Sequence, residues 1–307
     1  MKKVNELIKL PEVKTIFNLF NDNQGIYLVG GCIRDTLSGK EVTDIDFAID
    51  IDPEEVVKTL SNNNIKFYDI GINYGTVTAV IDSKNYEITS LREDIETDGR
   101  HAKVKYTSDI KADSLRRDFT INAIYANRDG ELFDFHNGID DIENRNLKFI
   151  GSANDRVKED YLRILRYFRF YADFSNFEID ANLKKVFKEG SKNFSKISKE
   201  RIWSELKKII NQNNSFKSLS MMNEANILIE ISKDISFIKD YLKISYIENK
   251  INKPIDYLLK FSILLESSEY NANNFIEQFP ISNEEAENLR TFINLDLSIK
   301  SYLSIKE

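Results

Sequence analysis

The hydrophobic residues of this chain follow two patterns, which meet near residue 145. Before that point, short runs rich in β-branched residues alternate with polar segments and predict strands at residues 26–29, 45–49, 76–81 and 86–91. Ten of the eleven glycines fall in residues 1–151, so tight turns are concentrated in this first part. From about residue 155, hydrophobic residues recur at positions i, i+3 and i+4, which predicts helices at residues 155–174, 182–190, 198–211, 236–248, 254–266 and 283–295.

Two prolines refine these boundaries. Pro53 and Pro254 are expected in the first turns of helices at residues 53–60 and 254–266, where a missing amide hydrogen breaks no intrahelical bond. Together the patterns predict an α+β protein, in which an N-terminal domain with a mixed β-sheet and helices is followed by an all-helical arm.

The densest group of chemically useful residues lies in the stretch LVGGCIRDTLSGKEVTDIDFAID at residues 28–50. Asp44 and Asp46 are two residues apart, so both side chains project from one face of a strand that begins at Asp44. Two adjacent carboxylates need a cation, and Mg²⁺ suits them because it takes one or two carboxylates and completes its shell with substrate phosphate. Gly30 and Gly31 allow a close backbone approach and open a helix N-terminus that suits a phosphate group.

Each half of this stretch has an ordinary explanation when it stands alone. An Asp-x-Asp pair occurs on many solvated strand ends, and a Gly-Gly pair is more often a plain turn. The two together, on either side of a short helical segment, predict a nucleotidyl-transfer site that binds a pair of Mg²⁺ ions and a nucleoside triphosphate.

A second group is the string RRDFTINA at residues 116–123. Taken alone, adjacent arginines are most simply explained as a solvated surface. In a chain that also carries the paired aspartates, one arginine can bind the phosphates or the sugar of a nucleotide, because its planar guanidinium matches phosphate oxygens.

A third group, EDYLR at residues 159–163, begins a stretch in which arginines recur every three residues. On the predicted helix these arginines, Arg163, Arg166 and Arg169, form a slowly winding stripe. The simplest explanation of this spacing is a set of surface ion pairs with acidic residues three positions away, worth about 0.2–0.5 kcal/mol each. Cytosine and adenine present an amino donor beside an unprotonated ring nitrogen, whereas uracil and guanine present the reverse. A carboxylate that accepts from the amino group, beside an arginine that donates to the ring nitrogen, would therefore fit C and A and reject U and G. Asp160 and Arg163 are such a pair.

The composition is that of a globular protein with two or more domains, at 307 residues, 41% hydrophobic and 30% charged. No run approaches the roughly 20 apolar residues of a membrane span, and the amphipathic start does not resemble a signal peptide, so we expect no membrane partner and a cytoplasmic location. The single cysteine, Cys32, excludes an internal disulfide, and with only two histidines it argues against structural zinc. A net charge of −7 argues against indiscriminate nucleic-acid binding, although residues 145–169 carry a local basic group.

Taken in order, the GG-x-x-RD…DxD, RRD and EDxxR motifs resemble the class II tRNA nucleotidyltransferase and poly(A) polymerase family. LFDFHNGIDD at residues 132–141 is similar to the hinge-like third motif of the family, and ISKERIWSELKKII at residues 197–210 is similar to its neck helices. The resemblance covers about residues 25–212. It implies a nucleotidyltransferase catalytic head, a helical neck that carries the nucleotide template and binds RNA, and a helical body with a short tail, at residues 1–144, 145–212 and 213–307.

The resemblance also implies an activity, the addition of C, C and A to the 3′ end of tRNA from CTP and ATP with release of pyrophosphate. The implied partners are the tRNA 3′ acceptor end and the two nucleotides, and the implied cofactor is Mg²⁺ in a two-metal site. By the same resemblance Asp44 and Asp46 are the catalytic metal ligands, Glu87 stands where a third carboxylate is possible, and the nucleotide-binding residues are Gly31, Arg34, Arg117, Asp160, Arg163, Arg166 and Arg169.

Related activities remain open at this stage: a poly(A) polymerase, whose motifs are nearly the same, and tRNA nucleotidyltransferases that add only CC or only A. Residues 92–106, REDIETDGRHAKVKY, resemble a flexible loop that is intact in enzymes that add the terminal A and shortened in CC-adding enzymes. The short C-terminal part leaves A-only addition open. A non-catalytic RNA-binding protein with the same head is expected to have lost a metal aspartate, and both are present.

Overall fold

The computed structural model describes residues 2–21, 23–98, 101–212, 214–237, 240–251, 253–266 and 268–294. The chain divides into two compact units, residues 1–156 and 157–307. Every described strand lies in the first unit, and the described elements of the second unit are helices, so the α+β prediction is confirmed. No described helix is both long and apolar enough to cross a bilayer. The finer division at residues 144 and 212 stays a prediction.

The first unit contains a mixed seven-stranded sheet and, apart from it, a two-stranded hairpin. The strands in chain order are β1 (Ile26–Val29), β2 (Asp46–Ile49), β3 (Lys66–Tyr68), β4 (Thr76–Ile81), β5 (Lys84–Ser90), β6 (Arg92–Asp98), β7 (His101–Tyr106), β8 (Ile124–Ala126) and β9 (Leu132–Asp134). The order across the sheet is β3-β4-β5-β2-β1-β8-β9, in which only the β2–β5 pair is parallel.

Helices pack against this sheet, and its central strand β2 is buried. The helices of the first unit are α1 (Lys2–Ile8), α2 (Pro11–Leu19), α3 (Gly31–Ser38), α4 (Pro53–Asn62), α5 (Ile110–Leu115) and α6 (Gly138–Glu143), and α7 (Ala153–Glu159) spans the boundary between the units. In β2, the side chains Phe47, Ala48 and Ile49 are all at most 1% exposed, which is the pattern of a strand covered on both faces. Phe17 of α2 packs edge-to-face on Phe47 at 5.5 Å between ring centroids.

The segment that resembles the flexible loop forms the hairpin of β6 and β7. Arg92 pairs with Tyr106 at its base, and the register shifts by a bulge between Asp94 and Glu96. At its tip, between Asp98 and His101, the residues Gly99 and Arg100 lie outside the described part of the chain.

The second unit is built from helices that enclose their own apolar core. They are α8 (Leu162–Phe174), α9 (Ala181–Ser191), α10 (Lys199–Ile210), α11 (Ser215–Glu224), α12 (Ile227–Ile231), α13 (Asp240–Ile251), α14 (Tyr257–Leu264), α15 (Glu269–Gln278) and α16 (Asn283–Asn294). The rings of Trp203, Phe261 and Phe275 meet at centroid distances of 4.8–5.5 Å. Beside them Lys260 is fully buried and donates to Glu248 Oε1 at 2.6 Å, so this core contains an ion pair.

Three of the predicted helices differ from the observed ones, and the helix predicted at residues 236–248 is observed as α13, Asp240–Ile251. The helix predicted at residues 155–174 is divided into α7 and α8. Between them, Asp160 Oδ1 accepts a hydrogen bond from the Leu162 amide at 3.1 Å, a local side-chain bond that competes with a continuous helix. Pro254 precedes α14 instead of lying in its first turn, because Asp256 accepts from the Leu258 amide at 2.8 Å and starts the helix there.

Candidate active site

The glycine pair forms the turn that connects β1 to α3. The strand ends at Val29 and the helix begins at Gly31, as the sequence predicted. Gly30 lies between them with a φ of +76°, a conformation that side chains rarely adopt. Because the first amides of a helix have no intrahelical partner, the start of α3 offers donors for a phosphate directly after the strand.

Two arginines lie over this turn. A Cβ atom added to Gly31 would lie 3.7 Å from Arg34 Nη2. A Cβ atom added to Gly30 would lie 3.6 Å from Arg117 Nη1. The RRDFTINA string is therefore brought to the glycine turn although about 85 residues separate them in sequence. The turn combines helix amides with two guanidinium groups, which is a chemistry suited to phosphates.

Side chains that sequence reasoning missed hold Arg34 in place. Its Nε and Nη2 donate to the two carboxylate oxygens of Asp35 at 2.8 and 2.7 Å, and its Nη1 donates to Asn122 Oδ1 at 2.7 Å. Asn122 belongs to RRDFTINA and also donates to Asp118 Oδ1 at 3.1 Å. One part of the second motif thus orients the arginine of the first.

Arg117 is fixed by Asp113 and Tyr125. Its Nε and Nη2 donate to Asp113 Oδ2 at 3.2 and 3.0 Å, and its Nε also donates to the Tyr125 hydroxyl at 2.8 Å. Burial lowers the pKa of Arg117, but Tyr125 and Asp113 outweigh it and raise that pKa above its usual range. The i, i+4 spacing of Asp113 and Arg117 was the sequence signal from which this pair could have been predicted.

Asp46 is the first residue of β2, whereas Asp44 lies in the exposed segment before it. The expectation of a strand that begins at Asp44 is therefore wrong by two residues. β2 pairs with β1 only as far as Asp46, which stands opposite Val29, because β1 ends there and the chain turns into α3. The two carboxylates are nevertheless close enough for the charge of Asp44 to raise the pKa of Asp46.

The environment of Asp46 fits a bound cation. Burial raises its pKa to about 6, with further contributions from the negative charges of Glu87 and Asp44 and an opposing one from Arg117. Glu87 stands in register with Asp46 on the neighbouring parallel strand. A divalent ion held by Asp44 and Asp46 would relieve this repulsion. Among the described residues no three acidic, histidine or cysteine side chains are grouped closely enough to hold a metal, so such an ion needs further ligands from substrate or water.

In the second unit, the EDYLR motif lies at the junction of α7 and α8. Asp160 accepts from the Leu162 amide through Oδ1 and from Arg201 Nη2 through Oδ2, the latter at 2.6 Å. Arg163 donates from Nη1 to Glu159 Oε2 at 2.5 Å. Arg201 lies on α10, 41 residues from Asp160 in sequence, and no local spacing could have predicted this contact.

The two later arginines of the stripe lie on α8. Arg169 donates from Nη1 to Glu205 Oε1 of α10 at 3.1 Å, and its guanidinium stands 4.4 Å from the centre of the Phe170 ring. Arg169 therefore ties two helices of this unit together. Arg166 lies one turn earlier and is half-buried. A nucleotide contact by either residue stays a prediction.

Family comparisons match most of the chain that carries these motifs. A model described as the poly A polymerase head domain matches residues 26–148. A second one, described as a probable RNA and SrmB-binding site of polymerase A, matches residues 176–238. The first range contains the glycine turn, both aspartates and the RRDFTINA string.

Proteins with similar sequences include CCA-adding enzymes from bacteria and animals. That of Staphylococcus haemolyticus is 32% identical over 261 residues, which are 84% of this chain and 62% of that protein. The mitochondrial CCA tRNA nucleotidyltransferase 1 of Danio rerio is 40% identical over 213 residues, 68% of this chain and 49% of that protein. The chain thus spans about half the length of the animal relative.

Solved structures share the fold. The CCA-adding enzyme of Bacillus stearothermophilus in complex with CTP has a TM-score of 0.76 at 22% identity, covering 93% of this chain and 70% of that one. A tRNA nucleotidyltransferase complexed with a primer tRNA and an incoming ATP analog has a TM-score of 0.71 at 24% identity, covering 99% of this chain and 87% of that one.

Enzymes of this kind generally depend on a divalent metal, which agrees with the carboxylates at the start of β2. The motifs, the fold and the sequence matches agree, and this chain belongs to the class II tRNA nucleotidyltransferase and poly(A) polymerase family.

Proposed function

We propose that the protein is a CCA-adding tRNA nucleotidyltransferase. It would join two cytidylates and then an adenylate to the 3′ end of tRNA, through attack of the terminal hydroxyl on the α-phosphate of CTP or ATP with release of pyrophosphate. The observation that carries the proposal is the arrangement around the glycine turn, where β1 ends opposite the start of β2. Arg117 lies beside Gly30 in this turn, and its charge reaches Asp46, the first residue of β2. Relatives named CCA-adding enzymes support the choice of substrate.

The first unit supplies phosphate binding and the metal site. Gly31 at the start of α3 and the guanidinium groups of Arg34 and Arg117 would hold the triphosphate or its sugar. Asp44 and Asp46 would hold Mg²⁺, the ion that suits paired carboxylates and phosphate oxygens. When bound, the metal supplies activation of the attacking hydroxyl and stabilisation of the leaving group.

The second unit supplies base selection in this proposal. Asp160 would accept from the amino group of C or A, and Arg163 would donate to the ring nitrogen. Arg201 and the α8 amide hold the Asp160 carboxylate in a fixed orientation, as a template for hydrogen bonding requires. Each oxygen of a carboxylate accepts more than one hydrogen bond, so Asp160 keeps acceptor capacity for a base.

The hairpin favours complete CCA addition over CC-only addition. Its strands extend over Arg92–Asp98 and His101–Tyr106, so the segment that resembles the loop of A-adding enzymes is present at full length. The head, neck and body at residues 1–144, 145–212 and 213–307 belong to the same proposal, as does a cytoplasmic location, which cell fractionation would test.

The proposal is tested with a tRNA transcript that lacks CCA, incubated with labelled CTP, ATP and Mg²⁺. We expect a three-nucleotide extension by the wild-type protein and its loss in Asp44→Ala, with folding unchanged. Asp52→Ala is the matched control, since Asp52 is also an exposed aspartate but lies beyond the other end of β2 and makes no side-chain cap. Extension by Asp44→Ala at the wild-type rate would refute the metal assignment.

A further inference from the structure

Asp113 is a buried carboxylate to which the sequence motifs assign no role. It lies on α5 with an exposure of 0%. Burial alone would raise its pKa, but the charges of Arg117 and Arg116 outweigh burial and hold that pKa well below its usual range. Asp113 is therefore a charged group in the interior of the first unit, and its two oxygens bind different neighbours.

One oxygen binds the base of the hairpin. Asp113 Oδ1 accepts from the backbone amide of Arg92 at 3.2 Å and from Arg116 Nε at 2.8 Å. Arg92 is the first residue of β6. The amide of the preceding residue, Leu91, donates to Ile49 O of the sheet at 2.7 Å. The carboxylate therefore binds the first hairpin residue after the last bond to the sheet.

The other oxygen binds the arginine over the glycine turn. Asp113 Oδ2 accepts from Arg117 Nε at 3.2 Å, from Arg117 Nη2 at 3.0 Å and from the Tyr125 hydroxyl at 2.6 Å. The position of the Arg117 guanidinium beside Gly30 therefore depends on the orientation of one carboxylate.

We propose that Asp113 is a positioning residue that couples the base of the β6–β7 hairpin to the guanidinium of Arg117. A carboxylate is a rigid plane, so a displacement of the Arg92 amide either turns the plane and moves Oδ2 or leaves a buried polar group without a partner, which is unfavourable. A nucleotide that binds Arg117 then fixes the hairpin base, and by reciprocity a fixed hairpin base strengthens nucleotide binding. The proposal rests on the nucleotide-binding role of Arg117 proposed above.

Two substitutions at one position isolate the bond to the hairpin. Arg92→Pro removes both the backbone N–H donor and the arginine side chain, whereas Arg92→Ala removes the side chain and keeps the donor. Both variants therefore lose the side-chain contact with the Tyr74 carbonyl, and only the proline variant loses the backbone donor. We expect the dissociation constant of CTP to be at least fivefold higher for Arg92→Pro than for Arg92→Ala. A third variant, Asp113→Asn, removes the negative charge that binds Arg117. We expect it to weaken CTP binding at least as much as Arg92→Pro does.

Equilibrium binding of CTP in Mg²⁺ and amide hydrogen exchange of the hairpin are measured on the full chain. We expect saturating CTP to slow exchange in β6 and β7 of Arg92→Ala and to leave it unchanged in Arg92→Pro. Wild-type protein that does not bind CTP would contradict the proposed function. Wild-type binding together with equal CTP affinity and equal exchange protection in the two Arg92 variants would overturn the coupling alone.

Discussion

Asp46→Asn is expected to stabilise the metal-free protein at neutral pH, although it removes a residue of the proposed active site. The carboxyl group of Asp46 is half-buried, and burial, Glu87 and Asp44 raise its pKa from 3.8 to about 6. The difference of about 2 units, at roughly 1.4 kcal/mol each, is about 3 kcal/mol of strain in the charged state. Asparagine has nearly the same shape and no charge, so it relieves this strain.

The sign follows from the protons bound in each state. Between pH 4 and pH 6 the folded protein keeps a proton on Asp46 that the unfolded chain has lost, so the free energy of unfolding falls as the pH rises through this range. Above about pH 6 the penalty is fully present, and below pH 4 it is absent. Asp46→Asn lacks this contribution at every pH.

The assay is thermal unfolding in EDTA at pH 4, 5, 6 and 7. At pH 7 we expect Asp46→Asn to melt roughly 6–12 °C above the wild type, because about 3 kcal/mol shifts the Tm of a unit of this size by that amount. The difference should shrink towards pH 4, and Mg²⁺ should raise the Tm of the wild type more than that of the variant. Asp52→Asn, at an exposed aspartate beyond the other end of β2, controls for the loss of one negative charge and should melt close to the wild type at pH 7. A variant that is no more stable than the wild type at pH 7 in EDTA would refute the electrostatic account.

Three further substitutions test the second unit. Gly190→Ala places a methyl group 2.6 Å from a valine carbon and is expected to lower the free energy of unfolding by about 1–3 kcal/mol, measured by urea denaturation; an unchanged midpoint would contradict this packing. Lys260→Met leaves Glu248 buried without its cation and should cost about 3–5 kcal/mol, most of which Lys260→Met with Glu248→Gln should restore; equal stability of the single and double variants would show that the pair is not coupled. Asp160→Ala should raise UTP and GTP incorporation relative to CTP and ATP, as four kcat/KM values, and unchanged ratios would remove the template role.

The fold class, and the strand and helix on either side of the glycine pair, were predictable because they depend on local patterns. The apolar run of β1 and the glycines after it specify a strand, a turn and a helix within about a dozen residues. The start of β2 was not predictable in the same way. β1 ends at Val29, opposite Asp46, and the chain then turns into α3, so Asp44 has no partner on β1. The division between α7 and α8 escaped prediction because the helical spacing is continuous across it, while one side chain, Asp160, competes for a backbone amide.

The residues that support the site were the hardest to predict. Arg201 reaches Asp160 across 41 positions, and Asn122 reaches Arg34 across 88, so their roles appear only once the chain is folded. Asp113 is different, because its i, i+4 spacing to Arg117 is visible in sequence. Such a spacing usually indicates a weak surface pair, and only the folded structure shows that Asp113 is buried.

The central claim is tested most directly by sequencing the 3′ ends that the wild-type protein makes on tRNA transcripts. With CTP alone, a transcript that lacks CCA should gain two cytidylates and stop. With ATP alone, a transcript that already ends in CC should gain one adenylate, and with both nucleotides the first transcript should end in CCA. A run of adenylates on either transcript, or no extension under any of these conditions, would contradict the account.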